Sequence, residues 1–188
     1  DMVPLAPGSI VYTECERTPC SQFRKSAEAS LVISEQSEAQ FDLVFNTKVE
    51  GLRVLLDALT PDPLSVICMF SSVSARCGNN GQSTYAMANE ILNKIAWRER
   101  ARRGTECLVK AFGWGPWQGG MVTPELAEHF RGLGVPLIPL ETGATKLVDE
   151  LLRASGDDVE LVMGAAPGPG GLGAKSKTNE VRMDLAFD

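Results

Sequence analysis

Apolar residues recur at helical spacing in four parts of the chain. The two longest stretches cover residues 41–59, which stop before Pro61, and residues 83–103, which are followed by Gly104. Apolar side chains three or four positions apart line one face of an α-helix, and Pro and Gly commonly end helices. Residues 124–131 and 142–154 show the same spacing over shorter lengths. The pattern predicts four amphipathic helices.

Short apolar runs rich in β-branched residues lie between these stretches, at residues 64–70, 106–112 and 159–163. Such runs are typical of strands buried on both faces. The alternation of helix and strand predicts an α/β fold with a doubly wound parallel sheet. Residues 1–40 show no sustained period and are interpreted as an irregular N-terminal segment, although residues 9–13 and 31–34 are β-prone.

The C-terminal part changes in composition after residue 166. Residues 167–178 are rich in Gly, Pro and Lys and are interpreted as a linker, and residues 179–188 as the start of a following domain. The predicted globular unit therefore covers residues 41–166. A glycine-rich run at residues 168–173 leads into Lys, Ser and Thr instead of a helix, so it is assigned to the linker.

Composition narrows the classes of function. The 188 residues are 44% apolar and 22% charged, with a net charge of −6, which disfavours nucleic acid as a partner. No apolar run approaches the roughly 20 residues of a transmembrane helix. Five cysteines, an odd number, favour an intracellular reducing compartment, either cytoplasm or organelle stroma. With no second Cys or His pair beside Cys15 and Cys20, a metal site is not expected, and His129 is interpreted as a solvated helix residue.

Charged residues on the two long helices differ in their expected surroundings. Lys48 lies between Val44 and Leu52 on the apolar stripe of its helix. A buried lysine is costly unless it has a partner or a task, so Lys48 is a candidate functional residue. The arginines at the end of the second long helix are instead expected to form a solvated helix end; they are Arg98, Arg100, Arg102 and Arg103.

Polar residues follow the first buried strand and begin the second long helix. Ser71 and Ser72 lie at the carboxyl end of the strand, where open α/β sheets place ligand contacts. Tyr85 and Asn89 are four residues apart and share one helix face. A serine hydroxyl can orient a carbonyl, a nearby ammonium favours the phenolate of a tyrosine, and an asparagine can hold the lysine. These residue types favour a carbonyl reduction site.

The segments FNTKVEG, FSSVSARCGNNGQSTYAMAN and FGWGPWQGGM resemble the ketoreductase domains of polyketide synthases. The resemblance in GQSTYAMANEILNK is closer to those of polyunsaturated fatty acid synthases. These domains belong to the short-chain dehydrogenase superfamily, so the resemblance implies a Rossmann-like fold and NADPH as cofactor. Spacings of 24 residues from Lys48 to Ser72, 13 from Ser72 to Tyr85 and four from Tyr85 to Asn89 agree with the family.

The resemblance also implies roles for individual residues. Tyr85 would donate the proton, Ser72 would orient the carbonyl, Lys48 would supply the charge beside the phenol, and Asn89 would hold Lys48. Residues 113–121 would border the nicotinamide, with Gly115, Pro116 and Trp117 as candidate cofactor contacts, and residues 122–139 would form a substrate lid. For Trp114 and Trp117, simple packing of the rings under the loop is an equal alternative.

A complete domain of this family begins with a strand, a glycine-rich turn and a helix that hold the pyrophosphate. The first forty residues show no such segment, so the predicted fold is incomplete and corresponds to the C-terminal half of a short-chain dehydrogenase. The expected function is NADPH-dependent reduction of β-ketoacyl thioesters on an acyl carrier protein, in a parent polypeptide with neighbouring synthase domains. The alternative is a non-catalytic accessory or scaffold subunit of a larger complex that binds no cofactor itself.

Overall fold

The computed structural model of the chain describes residues 9–12, 35–119, 122–152 and 158–164. Four strands are present in these ranges: β1 (Ser9–Tyr12), β2 (Val66–Ser72), β3 (Leu108–Trp114) and β4 (Glu160–Met163). The α-helices are α1 (Glu38–Phe45), α2 (Gly51–Ala58), α3 (Ser74–Cys77), α4 (Ser83–Arg103), α5 (Pro124–Gly132) and α6 (Leu140–Leu152). A π-helical turn (Asn46–Glu50) joins α1 to α2, and a 3₁₀ turn (Gly104–Glu106) follows α4. The predicted linker, the segment after it and the β-prone piece at residues 31–34 lie outside the described residues.

The four strands form one parallel sheet in the order β1, β2, β3, β4. Each strand therefore pairs with the next strand along the chain, and the carboxyl ends of the strands share one edge. At that edge Ser72 of β2 lies opposite Trp114 of β3, which in turn lies opposite Met163 of β4. The predicted α/β fold with a parallel sheet is confirmed. The β-prone piece near the N-terminus is a member of this sheet, which its irregular surroundings did not indicate.

One face of the sheet is covered by α2 and α4. Alternate strand residues point to this face, and the helices bury leucines and an alanine against them. The core residues here are Leu52, Leu56, Ile67, Met69, Leu92, Ala96, Val109, Ala111 and Val159. This packing fixes α4 across β2 and β3 and so determines where its first turns lie relative to the strand ends.

The opposite face is covered by α6. Cys68, Phe112 and Trp114 are buried there, and Leu147 and Leu151 of α6 pack against them. Because both faces of the sheet are covered, the strands are mostly apolar, as the doubly wound arrangement predicts. No helix in the described ranges is long and apolar enough to cross a bilayer.

The end of α4 is less solvated than its arginines suggest. Glu99 is buried, and Arg98, Arg102 and Arg103 each form an ion pair with it. The side chain of Arg103 is only 10% exposed, so the expectation of a fully solvated helix end is wrong at this residue. The cause is the buried Glu99 carboxylate, with which Arg102 and Arg103, one turn later on the same helix, form ion pairs.

Candidate active site

The π-helical turn carries Lys48 on the buried side of its helix. The backbone N–H of Gly51 donates to the carbonyl of Asn46, five residues back, which makes this turn wider than a turn of α-helix. In a regular α-helix, Val44 and Leu52 would differ in direction by about 80°, because each residue advances about 100°. Absorbing one extra residue in a wide turn reduces that difference to about 20°. Lys48, between them on this face, is only 3% exposed.

Asn89 is a hydrogen-bond partner of the buried lysine. Lys48 Nζ donates to Asn89 Oδ1 at 3.0 Å, and Asn89 Nδ2 donates to the backbone carbonyl of Tyr85 at 2.8 Å. Asn89 is fully buried, so its oxygen and its nitrogen are both used inside the fold. The ammonium of Lys48 also lies over the aromatic ring of Tyr85, 5.2 Å from its centroid, within the range of a cation–π contact. Three of the four predicted residues therefore converge.

Ser72, the fourth predicted residue, lies at the carboxyl end of β2. Its neighbour Ser71 points to the α4 side and donates a hydrogen bond from Oγ to the backbone carbonyl of Asn89 at 3.1 Å. Ser72 Oγ accepts hydrogen bonds from Ser74, at 3.2 Å from the backbone N and 2.9 Å from Oγ. The strand end is thus tied to the lysine–asparagine pair through Ser71, whereas Ser72 itself bonds to the start of α3.

This arrangement suits acid–base chemistry on a polarised oxygen. Tyr85 is half-buried, so its ring lies between the interior and the surface, with an ammonium on its face. Ser72 offers a hydroxyl at a strand end where ligands bind in open α/β sheets. A phenol, an ammonium and a hydroxyl can together bind a carbonyl and deliver a proton to its oxygen.

The cysteine within β2 takes no part in such chemistry. Cys68 is fully buried under Phe112 and Trp114. Burial raises the pKa of the Cys68 thiol to about 12, so the thiolate is not populated at neutral pH. Cys68 is a packing residue of the core.

The loop after β3 is held by backbone hydrogen bonds. Gly115 N donates to the carbonyl of Met163 at 2.8 Å, and Ile138 N donates to the carbonyl of Pro116 at 2.8 Å. The ring of Trp117 packs against that of Trp114, with 4.7 Å between centroids. Packing thus accounts for the positions of these two indoles. The proposed cofactor contacts at Gly115, Pro116 and Trp117 remain a prediction.

Trp117 also contacts the first turn of α6. A Cβ atom built on Gly143 would overlap the indole ring, so a glycine is required at this position. A cavity of about 230 Å³ lies next to this contact and is lined by Trp114, Ile138 and Met163 among others. Residues 136–139 of the predicted lid form part of its wall. A mostly apolar cavity therefore lies at the carboxyl ends of β3 and β4.

Comparison with known families decides the identity of this fold. The sequence profile of the KR domain matches residues 26–119, half of the chain, and that range contains Lys48, Ser72, Tyr85 and Asn89. The chain belongs to the KR domain family. The predicted resemblance to ketoreductase domains is confirmed.

Relatives of this KR domain occur in large synthases. One of the subunits of the polyunsaturated fatty acid synthase from Thraustochytrium sp. is 36% identical over 177 residues, 84% of this chain. Erythronolide synthase EryA2 from Saccharopolyspora erythraea is 33% identical over 129 residues, 68% of this chain. The chain spans only 6% and 4% of the lengths of these two relatives. It therefore matches one small part of each multidomain protein.

Solved ketoreductases share the fold of this KR domain. The ketoreductase PlmKR1 from the first module of phoslactomycin biosynthesis in Streptomyces sp. HK803 is 29% identical, with a TM-score of 0.62. The alignment covers 72% of this chain and 30% of that one. The first ketoreductase of the tylosin PKS is 30% identical with a TM-score of 0.57, and the alignment covers 71% of this chain and 29% of that one. The chain thus corresponds to a minor part of each solved chain.

Two serines that support the predicted four residues of this KR domain are not evident from the sequence. Ser71 stands out there only as one of a pair, and Ser74 does not stand out at all. Both are buried, and both bond to a predicted residue, Ser71 to Asn89 and Ser74 to Ser72. The repeated serines in FSSVS are the one available signal, since buried hydroxyls need partners.

Proposed function

We propose that this KR domain reduces the keto group of β-ketoacyl thioesters carried on an acyl carrier protein, with NADPH as reductant. The contact that carries the proposal is the buried Lys48–Asn89 hydrogen bond beside the ring of Tyr85. A buried ammonium in an apolar helix stripe is costly, so its retention beside a phenol favours a chemical task. Family membership and the names of the relatives in polyketide and fatty acid synthesis support the same reaction.

Each of the four residues then has a defined role. Ser72 donates a hydrogen bond to the substrate carbonyl oxygen, and Tyr85 donates its phenolic proton to that oxygen as negative charge develops there. Lys48 stabilises the phenolate that remains, and Asn89 fixes the position of the Lys48 ammonium. NADPH, when bound, supplies the hydride, so the products are a β-hydroxyacyl thioester and NADP⁺.

The described residues fit the reactive end of the cofactor but not its phosphates. The Lys48–Asn89 pair is linked to the carboxyl end of β2 through Ser71, and the Gly115–Trp117 loop follows β3 at the same edge and bonds to β4. The sequence of the first forty residues indicates no strand, glycine-rich turn and helix of the kind that holds a pyrophosphate. We therefore propose that the dinucleotide-binding half comes from the parent synthase, whose neighbouring domains also present the acyl carrier protein.

Cysteine placement supports an intracellular reducing compartment as the site of action. Among the described cysteines, Cys68 and Cys107 are buried free thiols and Cys77 is an exposed one. An exposed free thiol persists most readily where thiols are kept reduced. Labelling of Cys77 in intact cells, compared with lysates treated with a reductant, tests this proposal.

Replacing the phenol by a phenyl ring tests the proposed reaction. In the intact polypeptide that contains this chain, we expect Tyr85→Phe to lower kcat for a β-ketoacyl thioester by about 10²–10⁴-fold, because the proton donor is lost while the ring is kept. NADPH oxidation is followed by absorbance, and thermal melts of each variant separate chemistry from stability. Tyr12→Phe, at the other tyrosine of the chain, is the matched control and should keep wild-type turnover.

Two outcomes would contradict the proposal. Wild-type turnover by Tyr85→Phe would remove the assignment of the proton donor. Absence of any reduction by the intact wild-type polypeptide would favour the alternative, a non-catalytic accessory or scaffold role, over the reductase.

A further inference from the structure

Ser74, which begins α3, is buried against the candidate catalytic serine. It is only 1% exposed, and both its backbone N and its Oγ donate to Ser72 Oγ, at 3.2 Å and 2.9 Å. Ser72 is itself 8% exposed, so water has little access to compete for these bonds. One serine thus supplies two donors to the oxygen of another.

The two donors determine where the Ser72 proton can point. A hydroxyl oxygen has two acceptor lone pairs and one proton. With both lone pairs occupied by Ser74, the remaining O–H bond of Ser72 is directed away from α3. We propose that Ser74 is a positioning residue, which fixes the rotamer and donor direction of Ser72 so that its hydroxyl meets the substrate carbonyl oxygen. This inference rests on the proposed reductase function.

An ion pair to the edge of the sheet holds Ser74 in place. Gly78 N donates to the carbonyl of Ser74 at 2.9 Å, which closes the single turn of α3. Two residues after Ser74, the guanidinium of Arg76 donates through both Nε and Nη2 to the carboxylate of Glu160 on β4. Asn93 of α4 donates to the same carboxylate at 3.1 Å. Arg76 therefore links the short helix that begins with Ser74 to β4, at a carboxylate that α4 also contacts.

A purely structural role makes different predictions from a positioning role. If the Ser74 hydroxyl only satisfied its own hydrogen-bonding needs, its removal would lower stability and leave the kcat of the folded protein unchanged. If it orients Ser72, its removal would lower kcat with little change in KM, because an oriented donor matters most as charge develops on the carbonyl oxygen. The effect would also require that Ser72 be present.

The test uses Ser74→Ala, Ser72→Ala and the double variant in the intact polypeptide, assayed with NADPH and a β-ketoacyl thioester. We expect Ser74→Ala to lower kcat by about five- to tenfold, the loss typical of one hydrogen bond, with KM within about twofold. In the Ser72→Ala background the same substitution should have no further effect on kcat. Ser65→Ala, at the residue just before β2, is the control and should keep wild-type kcat.

Several results would overturn the proposal. Wild-type kcat in Ser74→Ala, or an equal loss of kcat with and without Ser72, would show that Ser74 does not act through Ser72. If Ser74→Ala fails to fold, Ser74→Cys keeps a similar volume with a weak donor and should show the same loss of kcat. Tyr85→Phe is measured in parallel: if it is inactive while Ser74→Ala is unchanged, only the positioning role fails. Full activity of Tyr85→Phe would overturn the reductase function and the positioning role with it.

Discussion

Substitution of Asn89 by leucine removes a polar partner of the buried lysine and keeps the number and branching of side-chain heavy atoms. Asn89 Oδ1 accepts a hydrogen bond from Lys48 Nζ at 3.0 Å, and Nδ2 donates to the Tyr85 carbonyl at 2.8 Å. A hydrogen bond to a charged group contributes about 1.5–3 kcal/mol, and a neutral one about 0.5–1.5 kcal/mol. We therefore expect Asn89→Leu to lower the free energy of unfolding by about 2–4.5 kcal/mol.

A double-mutant cycle isolates the part that belongs to the charge. In the Lys48→Met background, Asn89→Leu no longer deprives a buried ammonium of a partner, so the cost should fall by about 1.5–3 kcal/mol. Asn93→Leu is the matched control, because Asn93 is also buried on α4 but donates to Glu90 and Glu160. The cost of this control substitution should be the same in wild type and in the Lys48→Met background.

Urea unfolding followed by tryptophan fluorescence measures each free energy, and the dependence on urea must be equal among the variants for the cycle to be read. A coupling below about 0.5 kcal/mol between positions 48 and 89, which is within the additivity of independent sites, would refute the reasoning. It would mean that Asn89 does not form the hydrogen bond with the Lys48 ammonium in solution.

Three further predictions concern stability and reactivity. Gly143→Ala should lower the free energy of unfolding by about 1–3 kcal/mol in urea melts, because its Cβ would overlap the indole ring of Trp117. The control Gly132→Ala, with open space around its Cβ, should be neutral or slightly stabilising. Burial acts to raise the pKa of Glu99, but hydrogen bonds and charges from two arginines outweigh it and leave that pKa lowered from 4.5. The ionised Glu99 carboxylate therefore stabilises the fold above pH 4.5, and this stabilisation is lost as the pH falls through the lowered pKa. The difference in free energy of unfolding between wild type and Glu99→Gln should shrink on acidification. A difference that grows would contradict the lowered pKa. In native protein mapped by mass spectrometry, iodoacetamide should label Cys77 well before Cys68, which is buried with its pKa raised to about 12; equal rates would be inconsistent with this core.

The sequence predicts the fold best where a long amphipathic stretch begins after a polar loop and ends at a glycine. The helix predicted at residues 83–103 has those bounds in the structure. The strand predicted at residues 64–70 is instead β2 (Val66–Ser72), because Ser71 and Ser72 continue the ladder opposite Gly113 and Trp114 although they are not apolar. Apolar runs indicate that a strand exists, while backbone pairing determines where it ends.

The candidate site was predictable in its residue types and spacing but not in its support. An apolar helix stripe interrupted by Lys48 indicated a buried, engaged ammonium, and the structure places it on Asn89. No periodicity could indicate the π-helical turn, because the apolar residues on either side of it share one broad helix face with or without the extra residue. The bond from Ser74 to Ser72 was not predictable either. Ser74 begins a one-turn helix that is linked to the sheet by Arg76 and Glu160, which are 84 residues apart in sequence.

The wide turn at Asn46–Glu50 is needed for the position of Lys48 but not for the core contacts of the helices on either side. A π-helical turn holds one residue more than the regular α-helical turn that it replaces. If Thr47 were deleted, the flanking helices could join as regular α-helix, in which seven steps of about 100° still leave Val44 and Leu52 only about 20° apart. Their core contacts would be kept, whereas the turn that positions Lys48 would be lost. Deletion of this one residue would therefore displace the Lys48 ammonium while the fold is kept.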